Sequence, residues 1–393
     1  MENSKQRMDT LDYLKGMSMM MIWHAHTAMY WTGLPPFYGR QWLFCDFFGS
    51  AGFIFLSVLG TIASCERRWS NGDKTLITRK MFIRASYLLI IGECMNLFNL
   101  WYLGLYHLTA WNVLTTIGLF QLLTPLFMKT PKVVRLIMIA AIMIVYFPLL
   151  YWCAGGIQEA GILFYKMKIE NFSDPRILIY YLFMHQAMMA PIIPYLMVPL
   201  ITTLVFEGFS KAFTSQDKKI RKKKLSQIGL IGLILLGISI LLGFPLMIGP
   251  LNEGLFTLHP IPMFLISDYP QNIIFMMAEN FILLWIVGTV QMVKEKSFPA
   301  EKYVMNFGRF SLSAFMLSHV CSLVPLYLPI PIYYYIVMGI TVTIAVVAFY
   351  YWNKKFKMVL SFEWIGGVYT NIITRFLDKR KKEIREEGIK TSE

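Results

Sequence analysis

Apolar residues in this chain come in continuous runs, not in alternation with polar ones. Bounded by charged segments, the runs fall at 11–31, 47–65, 82–100, 108–128, 133–153, 177–206, 226–248, 271–292, 310–327 and 331–353. A helix rising 1.5 Å per residue crosses about 30 Å of hydrocarbon with roughly 20 residues, and these runs are of that order. In lipid every backbone polar group must be paired, which leaves helices or a closed barrel. Continuous apolarity, with no period of two, selects helices. The expected fold is an all-α polytopic membrane protein of about ten transmembrane helices. Residues 1–360 form the helical domain, and 361–393 form a cytoplasmic tail that opens as an amphipathic helix and ends in the charged run Asp378 to Glu387.

Composition agrees. Apolar residues make up 56% of the 393 and charged residues 15%, where soluble domains carry roughly 25% charge. That excludes a disordered chain and argues against an ordinary soluble enzyme. Charge then sets orientation. With the N-terminus inside, 33 of the 37 Lys and Arg fall in inner segments; only Arg40, Lys166, Lys168 and Arg176 fall outside. This asymmetry predicts ends that are both cytoplasmic. The net charge of +14 is then a matter of topology anchors and anionic headgroups. No soluble basic domain is present to bind nucleic acid.

Cys45, Cys65, Cys94, Cys153 and Cys321 show no metal-binding spacing and read as small packing residues. The polar Met1 to Thr10 and the absence of a small-residue cleavage site after the first run predict no cleaved signal peptide. Outer loop 154–176 carries a glycosylation triplet at Asn171, of a kind common by chance.

The polar residues within the runs are more telling. His24, His26, His107, His185, His259 and His319 all map to the outer half of the bundle. Glu93 and Glu279 lie toward the same side, with Asn96, Asn99, Asn112, Gln186 and Asn280 at similar depth. Ionisable groups inside a membrane usually face a cavity, so these residues predict an outward-opening polar cavity. Each also has a plainer reading, a packing histidine or a carboxylate satisfied by its neighbour. His24 and His26, two residues apart, point about 200° away from each other on a helix. Only one is therefore expected to point fully into the bundle, and no metal site is expected. Such a cavity suits group transfer with an imidazole as general base. It also suits proton-coupled transport.

Local strings narrow the choice. Leu11-Asp12-Tyr13-Leu14-Lys15-Gly16 resembles the L-D-x-L-R-G opening of the transmembrane acyltransferase superfamily, with Lys15 where Arg is usual. The superfamily includes the acyltransferase-3 carbohydrate O-acetylases and the heparan-α-glucosaminide N-acetyltransferase relatives. Four further strings follow in the family's order. Gly52 to Gly60 resembles the second helix, and Arg79-Lys80-Met81-Phe82-Ile83-Arg84 the basic opening of the third. Val113 to Gly118 resembles the L-Q-R-I-G segment without its Gln and Arg, and Gly308-Arg309 to His319 resembles the late-helix motif that ends near a His. Glu363-Trp364 resembles the E-W pair near the C-terminus of the N-acetyltransferase relatives.

The resemblance implies a membrane acyltransferase that uses acyl-CoA, in the first instance acetyl-CoA, as co-substrate. Counting along the acyltransferase-3 pattern places the catalytic histidine at His26, with His319 as the second candidate. Asp46 or Glu93 would orient the imidazole. Arg79, Lys80 and Arg84 would meet the phosphates of acyl-CoA, although inside-positive anchoring explains them as well. Asn112 and Gln186 would steady an oxyanion, and Glu279 would join them at the substrate. The acceptor would be a hydroxyl or amine of a glycan or lipid-linked glycan on the outer side, attacked directly or through an acyl-histidine. Membrane lipid and a second copy of the chain complete the expected partners, and the plasma membrane the expected location. The competing class is a secondary transporter or glycan translocase. Pro191, Pro194 and Pro199 interrupt the sixth run in its favour, but no matching segment occurs elsewhere.

Overall fold

A computed structural model describes residues 9–31, 35–103, 111–159, 172–184, 190–206, 217–242, 270–293, 300–322, 324, 326, 328 and 331–390. Among them there is no strand. The helices are α1 (Asp9–Trp31), α2 (Pro35–Ser70), α3 (Arg79–Leu103), α4 (Val113–Lys129), α5 (Lys132–Glu159), α6 (Pro175–Ile179) and α7 (Ile192–Tyr195). They continue as α8 (Met197–Phe206), α9 (Lys218–Leu241), α10 (Pro270–Val293), α11 (Glu301–Arg309), α12 (Ser311–Ser322), α13 (Pro331–Phe356) and α14 (Phe362–Lys390).

Among the described residues, four helices are long and apolar enough to cross a membrane: Lys132–Cys153, Lys218–Leu241, Asn272–Val293 and Ile332–Phe356. Their outer faces match that setting. α13 exposes Ile332, Ile336, Ile340 and Ile344, one residue every turn, and α5 exposes Val133, Leu136, Ile137 and Ile144. Stripes of this kind are a liability in water. In lipid they are the solvated face of a helix whose backbone is already paired.

Two departures from the sequence expectation change the picture most. The second helix begins at Pro35, not near residue 47. Arg40 and Gln41 depress local apolarity without breaking the helix, so Asp46 lies within α2 rather than ahead of it. The sixth run is not one helix. α6 passes into a π-helical turn, Tyr180–Met184, and the chain resumes as α7 and α8. Prolines 191, 194 and 199 withhold backbone donors there.

α1 is the central helix. α2, α10, α11, α12 and α13 all pack against it. Its tightest approach is to α11, through Gly16 and Gly308. A Cβ on Gly308 would overlap the Asp12 carbonyl and come within 2.6 Å of the Gly16 nitrogen. A Cβ on Gly16 would overlap the Val304 carbonyl. Small residues allow this backbone contact, and dispersion over the shared surface, not exclusion of water, holds helices together in lipid. The same crossing carries an ion pair, with Arg309 Nε donating to Asp12 Oδ2 at 3.1 Å.

α14 folds back under the bundle. Tyr87 Oη donates to the Phe362 carbonyl at 2.7 Å, and Arg79 forms an ion pair with Asp378. Glu363 caps α12: its carboxylate accepts from Leu312 N at 2.7 Å, from Ser313 N at 3.2 Å and from the Ser313 hydroxyl. Burial pushes the Glu363 carboxyl above its usual pKa, against the downward pull of these hydrogen bonds. Losing a helix N-cap costs about 0.5–2 kcal/mol. Glu363→Ala is therefore expected to lower unfolding stability by about that amount, measured by thermal unfolding in detergent. An unchanged unfolding temperature would contradict the capping role.

Candidate active site

Where α1, α2, α3, α4, α11, α12 and α14 meet, they enclose an open cavity of about 810 Å³, within the size range of small-molecule sites. Four cations line it, Lys15, Lys80, Arg84 and Arg309, against two carboxylates, Asp12 and Glu363. Arg309 is engaged with Asp12. Arg84 lies within electrostatic reach of Glu363. Phe53, Leu88, Leu114, Ile117 and Leu312 supply apolar wall, and Ser57, Thr61, Gln121 and Asn371 supply polar groups. A cationic mouth over an apolar wall suits a ligand with phosphates at one end and a neutral arm at the other.

Higher along α1 and α12 lies a pair of imidazoles. His26 Nδ1 is 2.9 Å from Ser318 Oγ, and the rings of His26 and His319 are 4.0 Å apart, edge to face. His319 Nδ1 faces the Phe315 carbonyl at 3.0 Å, and the Ser318 hydroxyl donates to the same carbonyl at 2.7 Å. Lys15 and His26 are eleven positions apart on α1, about 16 Å along the axis. Leu312 and His319 are seven apart on α12, about 10 Å. Between the two levels stand Phe53, which lines the cavity, and Phe315, which meets both imidazoles. Their rings stack at 6.4 Å, with 12° between planes.

The residues singled out from sequence fall into three groups. His26 and His319 come together, and Lys80 and Arg84 come together in the cavity. Arg79, one step around α3, turns away to Asp378. Glu93 and Glu279 stand apart from the imidazoles. Glu93 lies on the exposed side of α3 and accepts from Asn96 Nδ2 at 3.3 Å. Glu279 is partly buried on α10, its Oε2 enclosed without a hydrogen-bond partner among the described residues. Neither carboxylate is a hydrogen-bond partner of His26 among those residues. The Asp46 side chain, Gln186, His107, His185, His259 and Asn171 lie outside the described residues.

Asn112 is used inside the fold. Its Oδ1 accepts from Leu114 N at 2.9 Å and Thr115 N at 3.0 Å, capping α4. Its Nδ2 donates to the Gly92 carbonyl at 2.7 Å and to Asn96 Oδ1 at 2.9 Å. Four good hydrogen bonds leave that carboxamide little capacity for an oxyanion. An asparagine just ahead of an apolar run is a helix-start signal, and that signal accounts for it.

His24 also corrects an expectation. It is buried, where His26 is half-buried: its Nδ1 meets Tyr334 Oη at 2.9 Å, and Tyr334 also contacts Thr27 Oγ1 at 3.1 Å. Both histidines find partners inside the bundle because α1 packs against several helices, α12 toward His26 and α13 toward His24. The sequence reading left Asp12, Lys15, Arg309, Ser318 and Glu363 without site roles. Each stands within one of the quoted strings, but their partners are distant in sequence.

No curated protein and no solved structure matches the chain. The family model for the heparan-alpha-glucosaminide N-acetyltransferase catalytic domain matches residues 7–239, which spans α1 to nearly the end of α9. His26, Lys80 and Arg84 lie within that match; Ser318, His319 and Glu363 lie beyond it and reach the site through the fold. With more than half of its length matched, the chain belongs to the heparan-alpha-glucosaminide N-acetyltransferase catalytic-domain family, acetyltransferases of the membrane.

Proposed function

We propose that the protein moves an acetyl group from acetyl-CoA in the basic cavity to an amine or hydroxyl of a glycan on the opposite side of the membrane. One observation carries this reading. The cationic cavity and the imidazole pair share α1 and α12, and the stacked Phe53 and Phe315 connect the one to the other. Lys80 and Arg84 are the cations for the phosphates, and Lys15 lines the same wall. The co-substrate supplies an activated acyl carbonyl. His26 takes the proton as the acceptor nitrogen or oxygen forms its bond to that carbonyl carbon. The carbon–sulfur bond breaks, and the thiolate leaves to be protonated.

The reading has the basic end of the bundle facing the cytoplasm, ten crossings and both chain ends inside. This is the orientation favoured by the charge distribution along the sequence. The reading also places the protein in the plasma membrane and takes a glycan as acceptor, as the family's heparan-alpha-glucosaminide substrate suggests.

Ligand-linked stability tests it. A ligand that binds only the folded protein stabilises it by about 2.7 kcal/mol at a hundredfold excess over Kd. CoA is expected to raise the unfolding temperature of the purified protein. In Lys80→Ala or Arg84→Ala, each alone, the affinity for CoA should fall about 10- to 100-fold, since a hydrogen bond to a charged group is worth about 1.5–3 kcal/mol. No shift with the wild-type protein would count against the reading and would favour a transporter of unrelated solutes.

A further inference from the structure

The Ser318 hydroxyl has one proton and two neighbours. It donates to the Phe315 carbonyl at 2.7 Å, three residues earlier on α12, and it lies 2.9 Å from His26 Nδ1. A carbonyl oxygen can only accept, so that contact draws on the Ser318 proton. With the proton so placed, the contact with His26 is one in which Nδ1 carries the hydrogen and Ser318 Oγ accepts it. A neutral imidazole holds one hydrogen, which leaves the lone pair on Nε2, the atom a general base needs.

His319 shows the same bias, since its Nδ1 faces the Phe315 carbonyl at 3.0 Å and can only donate there. The Phe315 carbonyl, which within α12 also faces the backbone N–H of His319, shares its lone pairs among these donors. Ser318 is fully buried, so no water competes for its hydroxyl, and its position on α12 also fixes the direction of the His26 ring. The aromatic faces around the ring come from Phe315 and His319.

We infer that Ser318 is a positioning residue for the transfer reaction, holding His26 in the Nδ1–H tautomer so that Nε2 accepts the acceptor's proton. This rests on the reading of His26 as general base. The nitrogen that carries the proton is set by the hydrogen bond made at the other one, and partners that orient metal-bound histidines in the same way are worth roughly 10–100-fold. Ser318 transfers no proton to substrate in this scheme; it acts through His26.

The test uses full-length protein with isotopically labelled histidine. Nitrogen and ring-carbon NMR shifts distinguish the two tautomers, and comparison with His26→Ala assigns the His26 signals. The wild type is expected to show His26 with hydrogen on Nδ1. Ser318→Ala is expected to show a mixture, with kcat for acetyl transfer lowered roughly tenfold and the KM for acetyl-CoA unchanged. Ser318→Thr, which keeps the hydroxyl, is expected to recover the tautomer and most of kcat. Hydrogen on Nε2 in the wild type overturns the proposal, even if Ser318→Ala does not fold. So does an unchanged kcat in folded Ser318→Ala while His26→Ala is inactive. Full activity in His26→Ala is a different failure: it removes the base itself, whatever the tautomer.

Discussion

His26→Ala is expected to lower kcat by about 10²–10⁴-fold, the usual worth of a positioned general base. The donor site should survive. The cavity is lined from Asp12 and Lys15 on α1, about 16 Å below position 26, with Phe53 and Phe315 between. Stabilisation by CoA should therefore match the wild type while turnover collapses. A loss of CoA binding in the same variant would mean that the imidazole supports the fold and not the reaction. His319→Ala separates the two histidines. His319 is held by the Phe315 carbonyl and contributes an aromatic edge to His26, so its removal should cost less than removal of His26. Equal losses would make the two rings a single unit. Steady-state transfer of labelled acetyl groups to an amino-sugar acceptor measures both.

Gly308→Ala is expected to prevent folding. The added methyl overlaps the backbone carbonyl of Asp12 and approaches the backbone nitrogen of Gly16, and neither atom can rotate away as a side chain would. Ordinary overpacking costs about 1–3 kcal/mol; here two helices would have to separate. The Arg309–Asp12 bond, one residue further along, would be pulled apart with them. The variant should fail to give a single peak on size exclusion in detergent. Gly339→Ala is the control, because a Cβ there meets nothing within 4 Å, and it should behave as the wild type. A well-folded Gly308→Ala would show that α1 and α11 are not in backbone contact.

What the sequence could disclose follows from physics. Lipid forces the backbone into helices, so apolar runs mark them: Lys132–Glu159 and Pro331–Phe356 stand close to where apolarity alone puts them. Prolines 191, 194 and 199 announce the break in the sixth run through their missing donors. The start of α2 is hidden because Arg40 and Gln41 look like loop to any measure of apolarity, while a helix tolerates both. Depth within an apolar run does not fix what a polar side chain does. Asn112 caps α4, and Glu93 lies on the exposed side of α3. Arg79 and Lys80 are adjacent, and only a partner 299 residues away decides that the first is spent on Asp378. The bond from Ser318 to His26 spans 292 residues, and no local pattern encodes it.

Reconstitution into vesicles offers the decisive observation. Labelled acetyl-CoA is placed on the side facing the basic end of the bundle and an amino-sugar acceptor on the other, and label on the acceptor is followed with time. Purified wild-type protein is expected to acetylate the acceptor across the bilayer, and His26→Ala vesicles are expected to leave it unlabelled. An acceptor that stays unlabelled with folded wild-type protein, or one that is labelled equally well by His26→Ala, would contradict the account.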